Sequence, residues 1–190
     1  MPQQSVPTWE NNADRRVGTC SGSVARVSAW GALLVFFLSA CVLDKEAPVR
    51  AQLSQWVALG DTSYFRSQRQ CTAGVFQTKA RNVKSGIQKA RSFERGFRLI
   101  QQGRAVAFKV EGLSAGALHK KLDKVSRTVG IAVLTSGLGA RNCLPPQLQQ
   151  EFALALRATD VIVMYDPQTR ALALFDRDRK KIYYARGDVG

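Results

Sequence analysis

One long apolar run, Val27–Leu38, constrains this chain more than any other feature. A helix on the surface of a soluble domain carries a single apolar stripe, whereas this run is apolar all round, so a buried soluble helix fits it least. Continued through Cys41 to Leu43, the run reaches 17 residues before Asp44-Lys45-Glu46 stops it. A membrane-spanning helix takes about 20 apolar residues, with roughly 17 as the lower limit. Ser28, Gly31 and Ser39 weaken a span further. Val27–Leu38, preceded by Arg26, suits the shorter apolar core of an export signal, roughly 7–15 residues long.

The run closes on Leu38-Ser39-Ala40-Cys41. This tetrapeptide resembles the lipobox of bacterial lipoproteins: a branched apolar residue, two small residues and then a cysteine. The resemblance covers the export segment only. It implies a diacylglycerol on the Cys41 thiol, cleavage just before Cys41, and acylation (a palmitate-type chain) of the new N-terminus. A signal peptidase needs small side chains beside the cut, and Ser39 and Ala40 supply them. A plain anchor has no such need. The location implied is the bacterial cell envelope, lipid-anchored and periplasm-facing. Val42 stands where inner-membrane lipoproteins of some bacteria place Asp, which leans toward the outer membrane. The alternative is an uncleaved single-pass inner-membrane anchor.

Met1–Ala25 is polar, holds Pro2 and Pro7 and has no apolar period, so it reads as a disordered leader. A leader this long before an export core points to a translation start nearer Val17 or Val24. Arg15-Arg16 is followed by Val17-Gly18-Thr19 rather than an apolar pair, so it is a poor twin-arginine signal. The organisation expected is leader 1–25, signal 26–41, tether 42–50 and one domain over 51–190. Pro48 supports the tether by discouraging helix before it.

Charge sets the choice of partner. Arg15, Arg16 and Arg26 against Glu10 and Asp14 give the segment through Cys41 a charge of +1, which leaves +13 of the chain's +14 on the remainder. Such an excess favours polyanions over a Debye length of about 8–10 Å. In a cytosol the first candidate would be nucleic acid. For an exported body the available polyanions are anionic lipid headgroups, lipopolysaccharide phosphates, cell-wall carboxylates or an envelope protein.

The body reads as α+β. Gln52–Leu59 suggests a short helix with Leu53, Trp56 and Val57 inward. Thr62–Ser67 and Cys71–Gln77, rich in β-branched and aromatic residues, make a hairpin about Gln68-Arg69-Gln70. Ile87, Ala90, Phe93, Phe97 and Ile100 recur at helical spacing and predict about four turns over Lys84–Gln102, ended by Gly103. Ala105–Val110 is a short strand. Ser114 caps a helix to Val125, with Leu118, Leu122 and Val125 inward. Val129–Thr135 reads as a buried strand leading to the loop Ser136–Asn142. Pro145-Pro146 opens a helix with Leu148, Phe152, Ala155 and Leu156 inward. Val161–Tyr165, Ala171–Phe175 and Lys181–Ala185 make a three-stranded antiparallel meander. Tyr183 and Tyr184 point to opposite faces, so at most one is core. The expected architecture joins the two hairpin regions in one antiparallel sheet, with helices on one face and a second layer or partner on the other.

Candidate site residues are few. Arg91, Arg95 and Arg98 share a face of the predicted basic helix, opposed only by Glu94, and offer a weak anion-binding surface; a plain solvated face is the commoner outcome. Cys71 and Cys143 are the two cysteines of the exported body besides Cys41, and an oxidising compartment would pair them in a disulfide. His119, the single histidine, lacks Cys, Asp or Glu at ligand spacing and is a poor metal candidate. The glycines of Ser136–Asn142 lack the phosphate-loop pattern. Asp61, Glu94, Glu111, Asp123 and His119 form no catalytic spacing, and nothing positions a Cys143–His119 pair. No cofactor and no metal is expected. A non-catalytic envelope binding protein therefore leads, ahead of an envelope hydrolase and a small-ligand carrier.

Overall fold

The computed structural model describes residues 43–187. The leader 1–25, the signal segment 26–41 with Cys41, and residues 42 and 188–190 lie outside the described residues. The elements are α1 (Glu46–Trp56), β1 (Leu59–Gln68), β2 (Cys71–Thr78), β3 (Gln88–Ala90), α2 (Phe93–Gln101), β4 (Val106–Phe108), α3 (Ala115–Val125), α4 (Arg127–Gly139), a 3-10 turn (Ala140–Cys143), α5 (Pro146–Arg157), β5 (Ile162–Asp166), β6 (Ala171–Asp176) and β7 (Lys181–Gly187). The class is α+β.

All seven strands join one sheet in the order β1-β2-β7-β6-β5-β4-β3. The meander β5-β6-β7 is its centre, and β7 pairs with β2 so that the two hairpin regions share the sheet, as expected. Every pairing is antiparallel except β3 with β4, which are parallel and bridged by α2, so the sheet is mixed. Parallel neighbours need such a crossover, because a tight turn can only reverse the chain.

Both sheet faces are covered. Leu172, Leu174 and Tyr183 pack into one apolar layer with Leu118 and Leu122 of α3, Val133 of α4 and Phe152 of α5. Ala171, Ala173, Phe175 and Tyr184 pack on the other side against Val49, Leu53 and Trp56 of α1. Four helices thus lie over one face, and α1 supplies the second layer. Tyr183 and Tyr184 are accordingly both buried, against the expectation that only one would be. Alternation put them on opposite faces correctly; the covering of both faces was decided elsewhere in the chain.

Of the expected tether 42–50, residues 44–50 are packed rather than free. Glu46–Arg50 are the first turns of α1, and Val49 is buried. The Asp44 carboxylate accepts hydrogen bonds from Thr72 Oγ1 (2.6 Å) and Arg186 Nη1 (2.5 Å). Pro48 is tolerated because it stands in the first turn, where amides have no intrahelical acceptor. Asp44 therefore belongs to the packed body.

Two helix assignments change. The basic stretch is β3 followed by the shorter α2, because Ser92 accepts from the Arg95 amide (3.3 Å) and starts the helix there. Gly103 ends it, at φ +70°. Val129–Thr135 lies inside α4 rather than in a strand, and Ser136–Asn142 is the end of α4 plus the 3-10 turn. β-Branched residues lose well under 1 kcal/mol each in a helix, so packing overrides them. Two close approaches make that packing possible. A Cβ on Gly130 would stand 2.6 Å from Asp123 Cα of α3, and one on Gly187 would stand 2.4 Å from Thr135 O.

Ser114 caps α3 through the Ala117 amide (3.2 Å), and Pro145-Pro146 opens α5, both as expected. Val125 is 53% exposed, since α3 ends there.

Candidate functional site

Cys71 opens β2, and Cys143 closes the 3-10 turn. Their sulfurs lie 2.12 Å apart, a disulfide distance, with the Cα atoms 5.9 Å apart. Both are buried, and Tyr64 Oη donates to the Cys143 carbonyl at 2.6 Å. The pair ties the β1–β2 hairpin to the end of α4.

A Cys143–His119 nucleophile pair is not assembled. His119 Nδ1 lies 3.0 Å from the Gly130 carbonyl, between α3 and α4, while the Cys143 sulfur is taken by Cys71. Asp61 on β1, Glu94 on α2, Glu111 after β4 and Asp123 on α3 are exposed and sit on separate elements. Among the described residues no group of three His, Cys, Asp or Glu is placed to hold a metal ion.

A partly buried polar cluster lies around Glu151 of α5. Its Oε2 pairs with Lys181 Nζ at 2.7 Å and accepts from Tyr183 Oη at 3.1 Å. The Lys181 hydrogen bond holds the Glu151 carboxyl below the usual carboxylate range, against burial. Burial first, then the Glu151 charge, push the Tyr183 phenol well above its ordinary value. Burial does the same to Tyr184 on the other face. Both phenols therefore stay protonated, and Tyr183 serves as a donor that orients α5 on the sheet. The arrangement is a brace rather than an acid–base pair.

Arg91, Arg95 and Arg98 are all exposed, but they do not share one helical face. Arg91 precedes the Ser92 cap, and only Arg95 and Arg98 lie on α2. β3 ends at Ala90, which aligns through Phe108, Val163, Leu174 and Tyr183 with Val75, so Arg91 stands toward the Thr78 end of the sheet. It also stands at the β3 edge, about 24 Å from β2 at roughly 4.8 Å per strand.

A second cationic group lies at the opposite end. There the β1–β2 turn carries Arg69, the 3-10 turn carries Arg141, the β5–β6 turn carries Arg170, and β7 finishes with Arg186 paired to Asp44. Arg69, Arg141 and Arg170 are exposed. α4 runs along this end of the sheet. It borders Pro167 and Arg170 with Thr128 and Ile131, reaches Gly187 with Thr135 and Gly139, and delivers Cys143 to Cys71. Sequence reading missed this group because its members come from four segments. One signal was present: Arg69 and Arg141 each stand two residues before a cysteine of the pair.

Two openings accompany α4. A groove of about 380 Å³ between α4 and the β5–β6 turn is lined by Ile131, Thr135, Tyr165 and Arg170. An apolar hollow of about 140 Å³ beside His119 is lined by Leu134, Leu138 and Leu156. The hollow is smaller than the roughly 300 Å³ at which pockets begin to hold drug-sized ligands.

The chain matches no family model, no curated protein and no solved structure.

Proposed function

We propose that this protein is a lipid-anchored, periplasm-facing component of a bacterial cell envelope, of binding or accessory type, whose basic surface engages an anionic partner. One observation carries the reading. Asp44, three residues after the lipobox-like Cys41 in sequence, is already bonded to Thr72 and Arg186 of the sheet, which supports an anchor lying within a few residues of the packed body. The net +13 after Cys41 and the Cys71–Cys143 pair at bonding distance support the same compartment and partner chemistry. Among the described residues no helix is long and apolar enough to cross a membrane. On the lipobox resemblance, attachment is assigned to Cys41.

Intact-mass analysis of the membrane-extracted protein tests this. The expected species begins at Cys41, carries a diacylglycerol and an acyl chain, and lacks two hydrogens for the bridge. Cys41→Ser should leave the full-length chain uncut. A full-length, unacylated wild-type chain in the soluble cytosolic fraction would sink the reading.

A further inference from the structure

Resting on the lipid-anchored reading, we infer that the end of the sheet along which α4 runs lies flat on an anionic phospholipid leaflet, with Leu43, Ile131 and Leu138 entering the headgroup layer. Chain length is the first argument. Asp44 is held to the body by Thr72 and Arg186, and three residue steps separate it from Cys41. A fully extended chain covers about 3.6 Å per residue, so the lipid attachment lies within about 11 Å of Asp44. A body fixed this closely cannot stand off the bilayer; the surface around Asp44 must abut it.

The chemistry of that surface is the second argument. Leu43, Ile131 and Leu138 are 48%, 45% and 49% exposed. No acidic residue occurs from Lys124 through Gln150, a stretch that contains all of α4. Arg170 borders the same groove as Ile131, and Arg69 and Arg141 stand two residues before the paired cysteines at this end of the sheet. Exposed apolar side chains can enter the headgroup layer, and cations on neighbouring turns add attraction to anionic lipid. Each cation held near an anionic leaflet adds attraction that fades within about a Debye length, roughly 8 Å in physiological salt. Arg91 stands toward the other end and edge of the sheet, beyond that distance, whereas the C-terminal end of α2 returns to the groove, where Ile100 stands beside Ile131 and Arg170.

Tryptophan quenching by brominated lipid tests the orientation. Ile131→Trp and Leu138→Trp place probes at the proposed contact, and Thr159→Trp places one at an exposed site just before β5, toward the other end. Each full-length variant is expressed, extracted in its acylated form as verified by mass, and reconstituted into vesicles of phosphatidylethanolamine with brominated phosphatidylglycerol. Quenching at 131 or 138 should exceed that at 159 several-fold. Arg69→Gln/Arg141→Gln/Arg170→Asn should lower quenching at 131 and 138 several-fold while the acyl chains keep the protein on the vesicle. Arg91→Gln, at the far end and edge of the sheet, should leave quenching unchanged. Equal quenching at all three positions in an acylated protein, or stronger quenching at 159, overturns the orientation and leaves the anchor intact. An unacylated preparation overturns the anchor, and the orientation with it.

Discussion

Two groups of arginines carry much of this protein's charge, and they are built in opposite ways. Arg91, Arg95 and Arg98 are neighbours in sequence, yet a cap at Ser92 parts Arg91 from the helix that holds the other two. Arg69, Arg141, Arg170 and Arg186 are scattered over more than a hundred residues, yet sheet order, the cysteine pair and the path of α4 bring their turns to one end. Charge density along a chain is thus a poor guide to charge density in space. Only the second group adjoins Asp44, the first residue tied to the body after Cys41.

The most forceful way to break this contrast is to cut the bridge. Cys143→Ser opens a link with a sequence separation of 72 residues, and chain-entropy reasoning puts the loss near about 4 kcal/mol. Urea unfolding with and without reductant checks it. The mutant should match reduced wild type, and hydrogen exchange should rise in the β1–β2 hairpin before it rises in α2.

Glycine substitutions test each group's support separately. A Cβ on Gly96 would stand 2.0 Å from the Phe108 ring, and one on Gly187 would meet the Thr135 carbonyl at 2.4 Å. Gly96→Ala and Gly187→Ala should each cost about 1–3 kcal/mol as overpacking. The first should disturb amide signals of α2 and β4, the second those of α4 and β7. The same signals shifting in both variants would mean that the two regions are mechanically one.

A smaller effect is expected at the cap. Ser92→Ala removes the acceptor for the Arg95 amide and should cost about 1 kcal/mol, with fraying confined to the start of α2. Chemical shifts around Arg69 and Arg141 should stay fixed.

The smallest effect is electrostatic. The Glu151 carboxyl is held below its ordinary value of 4.5 by Lys181. A depressed folded value means that the stabilisation is present above the unfolded value and is lost as pH falls through the folded one. The side chains are 25% and 39% exposed, so water screens the pair to at most about 1 kcal/mol. Glu151→Gln should therefore be slightly less stable than wild type near neutrality, with the difference vanishing in acid. A difference that persists at acid pH would show packing rather than charge.

The elements that were legible in the sequence carry their signals within a few residues. The β1–β2 hairpin follows from alternation about a polar turn, α3 from Ser114, α5 from Pro145-Pro146, and the meander from three short β-rich runs. The Asp166 and Asp176 carboxylates each accept from a backbone amide two residues on, and Arg170 and Lys180 take positive φ, so both meander turns are locally encoded. What was not legible depends on distant partners. Ile87 and Ala90 have helical spacing, but Ala90 pairs with Phe108 in a strand. Val129–Thr135 has strand composition, but Gly130 meets α3, and Thr135 meets Gly187 at the far end of the chain.

By itself the sequence determined an apolar segment ending in a lipobox-like cysteine, a basic body, an α+β mixture and the two cysteines that stand together. The first three rest on composition or on contacts within a few residues, and the last on there being two cysteines after Cys41 to pair. Tertiary structure alone decided that α1 closes the second face, that α4 is a helix along the strand ends, and which arginines share a surface. Those outcomes depend on which backbones can approach closely across the sheet, a property of pairs of segments that neither segment carries alone.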